Sequence, residues 1–282
     1  MTSEPVTSRY WKVSSTQEPS KGRRVAFRVW GVLTSLLFLV LFGFGVVELV
    51  LMWLPDQTLT SMFDEPPNLP VHRTHFLIVG IVSGAFLLAT FVQLRKPERR
   101  VASLLQLAVM ALGGTVVYAY SGTLGEWLSE EWIVLVPVLV LALLHPKARD
   151  LVAKPGFDRN MTLLAGIATI PWLAFIVDNS RLQLINAAGD AHAEMEHWAT
   201  AALLGITIVA CAVIGSTDHR GWRLPAWIAV AASVIFGIHS LVFPGLPSGL
   251  TTAWAVAAVI WGVALAGTIF RKAPRAPDSA AT

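Results

Sequence analysis

Charge vanishes from this chain over long stretches and returns in short bursts. Eight stretches, 26–53, 76–94, 101–120, 132–144, 161–177, 198–214, 224–243 and 250–270, are almost wholly apolar. A helix at a protein–water boundary carries one apolar stripe, whereas these are apolar on every face, as helices surrounded by lipid or by other helices are. Most have the roughly 17–25 residues needed to cross a hydrocarbon core. The pattern predicts an all-α, polytopic membrane protein with eight transmembrane helices. The fourth is the weakest: its cleanly apolar part rises only about 20 Å at 1.5 Å per residue. It also contains Pro137, which removes a backbone donor and favours a kink. On this reading it extends back through Leu128, with Glu130 and Glu131 at the interface.

The polar bursts set the orientation. With tails and loops assigned alternately to the two sides, 19 of the 21 Lys and Arg residues fall on the side of the termini, and only Arg73 and Arg181 on the other. Basic residues are retained on the cytoplasmic side, so both termini are expected in the cytoplasm and the chain in the plasma (inner) membrane. Trp53, Trp127, Trp132, Trp198 and Trp254 then fall near the outer boundary and Trp30, Trp222 and Trp227 near the inner one, where indole finds both water and hydrocarbon. Residues 1–25 and 271–282 read as disordered cytoplasmic tails, and the first span is too long for a cleavable signal.

An offset of 122 residues lays the second, third and fourth spans on the sixth, seventh and eighth. It takes His75 to His197 and Trp132 to Trp254. This predicts two tandem four-helix units, 26–146 and 147–270, in the same orientation about an axis along the membrane normal.

Composition agrees with the pattern. Hydrophobic residues make up 55% and charged residues 14%, against roughly 25% charged in soluble domains. The net charge of +3 follows from the basic loops, so the expected partner is the lipid bilayer and not nucleic acid. Partners in a membrane complex and a homo-oligomer both remain open. A single cysteine, Cys211, excludes an internal disulfide or a cysteine-based metal site. No P-loop, HExxH or nucleophile elbow is present.

Candidate chemistry gathers at the outer side. Five of seven histidines, His72, His75, His192, His197 and His239, lie there. His75 and His197 sit at the mouths of the second and sixth spans, and His239 lies about 7 Å inside the seventh. Glu48 is the one acid well within a span, and intramembrane acids are costly and commonly functional. Gly45, one turn away, admits a close neighbouring helix. In Asp190-Ala-His192-Ala-Glu194-Met-Glu196-His197-Trp198, Asp190 suits an N-cap. On a continuous helix Glu194 and His197 would share a face, and His192 and Glu196 another. A histidine–carboxylate pair can orient an imidazole for metal or haem. The expected cofactor ligands are therefore His75, His197 and His239, the expected metal ligands His72, His192 and Glu194, and Glu48 the proton-carrying group.

The layout resembles that of the haem A synthase family. His72-Arg73 at the start of the second span, the basic Arg95–Arg100 loop and Gln106 in the third span carry the likeness. It implies eight spans in two four-helix halves and haem held by histidines near the outer ends of even-numbered spans. The fourth span departs from that pattern, with His145 only at its cytoplasmic end, and the eighth has no histidine. The likeness is therefore to construction. Three functions remain in view: a membrane protein holding haem or a transition metal, for redox chemistry or cofactor assembly; a proton-coupled transporter; and a non-catalytic subunit of a larger membrane complex.

Overall fold

The computed structural model describes residues 20–55, 69–120, 132–185 and 191–272. Eight long helices account for most of them: α1 (Lys21–Leu51), α2 (Leu69–Phe91), α3 (Val101–Tyr120), α4 (Trp132–Leu144), α5 (Arg159–Ile185), α6 (His197–Ser216), α7 (Arg223–Val242) and α8 (Thr252–Arg271). Seven are long and apolar enough to cross a membrane, and α4 is a shorter apolar helix. Among the described residues there is no strand, only an isolated bridge between Phe157 and Thr217. The chain is an all-α polytopic membrane protein. The proposed extension of α4 back to Leu128 and the capping role of Asp190 lie outside the described residues.

Helices α2, α3, α6 and α7 form the centre. Between 61% and 67% of the most apolar window of each is buried, against 22–33% for α1, α5 and α8. The outer helices turn Val40, Phe44, Ile170, Ile260 and Phe270 outward, as apolar helices in contact with a bilayer do. Packing follows an alternating pattern. Helix α1 lies on α2 as α5 lies on α6; α3 meets α4 as α7 meets α8; α3 crosses to α6 as α7 crosses to α2. The outer helices are tied by indoles: Trp30 Nε1 of α1 donates to the Pro137 carbonyl of α4 at 3.0 Å, and Trp261 Nε1 of α8 donates to the Leu164 carbonyl of α5 at 2.8 Å.

Small residues set the closest helix approaches. A Cβ on Gly80 would stand 2.7 Å from the Gly45 carbonyl oxygen and 2.8 Å from the Leu49 backbone nitrogen, and one on Gly45 would collide with Ser83 Oγ. Lipid offers no hydrophobic drive for helix association, so close van der Waals packing of this kind carries much of it.

Two helices run beyond their apolar cores, and both extensions matter for the site. Helix α2 begins at Leu69, about two turns before the apolar run, which places His72 and His75 inside its first turns. Helix α5 continues through Asp178-Asn179-Ser180-Arg181 to Ile185. This polar run reads as a loop, but Asn179 Nδ2 donates back to the Phe175 carbonyl at 2.9 Å and the helix persists.

The opposite end of the bundle is basic and tightly laced. Arg23 donates to the carbonyls of Leu143 (2.7 Å) and Leu144 (3.3 Å), a cation at the negative end of α4. His145 is fully buried. Its Nε2 faces the Pro97 carbonyl at 3.1 Å and its Nδ1 accepts from the Lys147 amide at 3.1 Å. It is therefore a neutral imidazole with both nitrogens used.

Candidate metal centre

Four imidazoles converge where α2 and α6 begin. His72 and His75 stand one turn apart on α2 and so share a face. His197 is the first residue of α6. His192 belongs to a separate helical turn, Ala191–Glu194, just before it. His75 and His197 stack with ring centroids 4.5 Å apart and planes 12° off parallel. His72 Nδ1 lies 3.2 Å from His197 Nδ1. One nitrogen from each of His72, His75 and His197 falls within a sphere of contacts no longer than 4.8 Å. The three residues are 8%, 1% and 5% exposed. His192 stacks on His72 at 4.4 Å and leans on Trp198 at 5.3 Å.

This group could hold a metal ion. Tetrahedral zinc with Zn–N bonds near 2.0–2.1 Å puts its ligand nitrogens about 3.3 Å apart, close to the spacing of the His72–His197 pair. Burying several imidazoles at the end of a membrane bundle is costly unless each finds a partner, and a shared cation would serve all three together.

The backbone that presents these rings is shaped for it. Glu196 adopts a left-handed conformation, φ 53°, and gives α6 no side-chain cap. Gln183, fully buried on α5, supplies what is missing. Its Oε1 accepts from the Ala199 amide at 3.2 Å and its Nε2 donates to the Ala193 carbonyl at 2.7 Å. One side chain thus satisfies an otherwise orphaned helix-start amide and ties the His192 turn to the start of α6. Opposite, His75 Nε2 is 2.9 Å from Ser248 Oγ in the α7–α8 connection. Ser248 donates to Asn179 Oδ1 at 2.9 Å.

The residues singled out from sequence divide into two sets. His72, His75, His192 and His197 come together. Glu194 does not join them: it is exposed, and the left-handed Glu196 breaks the helix, so Glu194 and His197 do not share a helical face. His239 is fully buried on α7 and is not one of the converging ligands; it packs edge-on to Trp53 at 5.5 Å and against Phe243 at 4.9 Å. Among the described residues neither of its nitrogens has a hydrogen-bond partner. The Arg73 guanidinium lies 4.2 Å above the same Phe243 ring. Glu48 is buried at 8% exposure on α1. Its carboxyl has no hydrogen bond or ion pair among the described residues, the histidines included.

Sequence reasoning missed Gln183, Asn179 and Ser248. A usable signal existed for the first two: Asn179 and Gln183 are four residues apart, a polar stripe on an extended α5. Ser248 carried none, because its role rests on a left-handed backbone next to Gly249.

Compared with protein-family models, curated proteins and solved structures, the chain matches none.

Proposed function

We propose that this chain is an integral membrane metalloprotein that holds one first-row divalent ion on His72, His75 and His197, at the end of the bundle facing away from the cytoplasm. The observation that carries the reading is the 3.2 Å Nδ1–Nδ1 approach of His72 and His197 with His75 completing a buried triad. Imidazole donors suit zinc, copper, iron and nickel. Three protein ligands with a fourth position left for water or substrate are typical of catalytic sites, whereas structural zinc sites are closed. His192, at the rim, is placed to fill or vacate that position. A bound ion would act there as a Lewis acid or lower the pKa of a bound water.

The packing favours an ion over haem. Axial imidazoles approach haem iron edge-on from opposite faces of the macrocycle. The His75 and His197 rings instead lie face to face at 4.5 Å, with His72 Nδ1 against His197 Nδ1. Those two rings would have to part to hold a porphyrin between them.

The outward orientation rests on the 19-to-2 division of basic residues. The site then lies where two four-helix units, 26–146 and 147–270, meet. This reading is supported by the recurrence of each helix pairing of one half in the other.

Detergent-purified protein loaded with Co2+ tests the proposal. The wild type should bind about one ion and develop the visible bands of a nitrogen-rich, low-coordinate site. A His72→Ala/His197→Ala variant that keeps its helical content should do neither. Wild type that takes up no Co2+, Zn2+ or Cu2+ would end it.

A second reading is favoured by Glu48, a buried carboxyl within a span with no bonded partner among the described residues, a setting in which acids often carry protons. In that case the ion is cargo and Glu48 couples its movement to protons. Metal-filled liposomes bearing Glu48→Gln would then lose pH-driven flux but keep binding, whereas unchanged flux would remove this reading.

A further inference from the structure

Resting on the metal reading, we propose that Asn179 and Ser248 are positioning residues for the centre: they fix the proton of His75 on Nε2 and leave Nδ1 as the ligand atom. The chain of reasoning begins at a backbone carbonyl. The Phe175 carbonyl can only accept, so the Asn179 amide must turn its NH2 toward it, at 2.9 Å. Asn179 therefore presents Oδ1 to Ser248, and the Ser248 hydroxyl spends its one hydrogen there, at 2.9 Å. The same hydroxyl oxygen is 2.9 Å from His75 Nε2 and has only lone pairs left to offer. His75 Nε2 must then carry the proton. Its Nδ1 is a buried lone pair with no hydrogen-bond partner among the described residues, on a ring stacked against His197.

A metal-ligating histidine commonly donates its second N–H to an outer partner, which sets tautomer and ring orientation. The relay here supplies that partner through two elements far from α2 in sequence. It is also held at a cost. Ser248 has φ 56°, a left-handed conformation uncommon outside glycine, with Gly249 free beside it to take such a conformation more cheaply. Strain of this kind clusters at functional sites. Glu196, directly before His197, is in the same region at φ 53°. Asn179 is 3% exposed, so a buried amide is committed to orienting one hydroxyl.

Ser248→Gly separates positioning from structure, because it removes the hydroxyl and relieves the backbone strain together. Zn2+ affinity measured by competition with a chromogenic chelator should fall about 10–100-fold, the range seen when outer partners of metal-bound histidines are removed. The thermal midpoint of the metal-free protein should hold or rise. Asn179→Leu, which frees the hydroxyl to rotate, should also weaken Zn2+ binding. In Cu2+-loaded protein, pulsed electron paramagnetic resonance reads the remote imidazole nitrogen, and Ser248→Gly should shift its quadrupole coupling. Wild-type Zn2+ affinity in both variants would overturn this inference while leaving the metal centre standing. A wild type that binds no Zn2+ would instead remove the reading beneath it.

Discussion

His75 and His197 stand 122 residues apart in the chain, yet their imidazoles stack 4.5 Å apart and within 12° of parallel. His197 opens α6 and His75 lies in the second turn of α2, two of the central helices, which meet at this end of the bundle. Replacing either by alanine removes a ligand and leaves the partner ring facing a void. Each should lower Zn2+ affinity by more than the roughly 10–100-fold that follows loss of an outer partner. His239→Ala should leave Zn2+ stoichiometry unchanged, because its ring packs on Trp53 and Phe243 instead. Competition titration of the three variants separates these outcomes; equal losses in all three would mean the ligand set is wrongly drawn.

Gln183 makes two bonds that no neighbour can replace. In Gln183→Leu the Ala199 amide loses its partner in a buried setting, at about 1–3 kcal/mol, and the Ala193 carbonyl keeps only its bond from the Glu196 amide. The His192 turn should loosen, seen as faster proteolysis between α5 and α6, with weaker metal binding alongside. Unchanged proteolysis and unfolding would argue that the amide is incidental.

Gly80 is required by backbone, not by a movable side chain. In Gly80→Ala the new methyl meets the Gly45 carbonyl and Leu49 backbone, so α1 and α2 must separate, at about 1–3 kcal/mol for overpacking. Gly84→Ala, with nothing within 4 Å of the added carbon, is the control on the same helix. Thermal unfolding in detergent should drop for the first and stay near wild type for the second.

His145 makes the fold sensitive to acid at the basic end. Burial lowers its pKa from the ordinary 6.5, against weaker opposing effects of its hydrogen bond to the Pro97 carbonyl and of Glu98 and Asp150. Above the ordinary value both folded and unfolded forms are neutral and no stability is lost. As pH falls below it the unfolded chain takes up the proton first, so stability declines until the folded form titrates as well. His145→Gln, compared with wild type by unfolding at pH 7.5 and 5.5, should lose less on acidification. An identical loss in both would place the acid sensitivity elsewhere.

The spans were legible because apolar runs of this length have few other uses, and α6, α7 and α8 begin within two residues of where the runs predict. Depth was legible too. His72, His75, His192 and His197 could all be placed at one end, and the offset that pairs His75 with His197 pointed at two rings that do meet. Azimuth was not. His239 and Glu48 sit at fitting depth, but hydrophobicity that is uniform around a helix says nothing about which face turns toward which neighbour. The break at Glu196 was hidden as well, since Glu194 through His197 suits a continuous helix as readily as two pieces joined by a left-handed residue.

The central claim is that imidazole nitrogens from α2 and α6 share one ion. X-ray absorption at the metal edge of Zn2+-loaded, detergent-purified wild type tests it most directly. The account predicts about one ion per chain with three or four nitrogen neighbours near 2.0–2.1 Å, and the multiple-scattering features of imidazole. An oxygen-dominated shell, sulfur neighbours, or protein that retains no ion after desalting would contradict it.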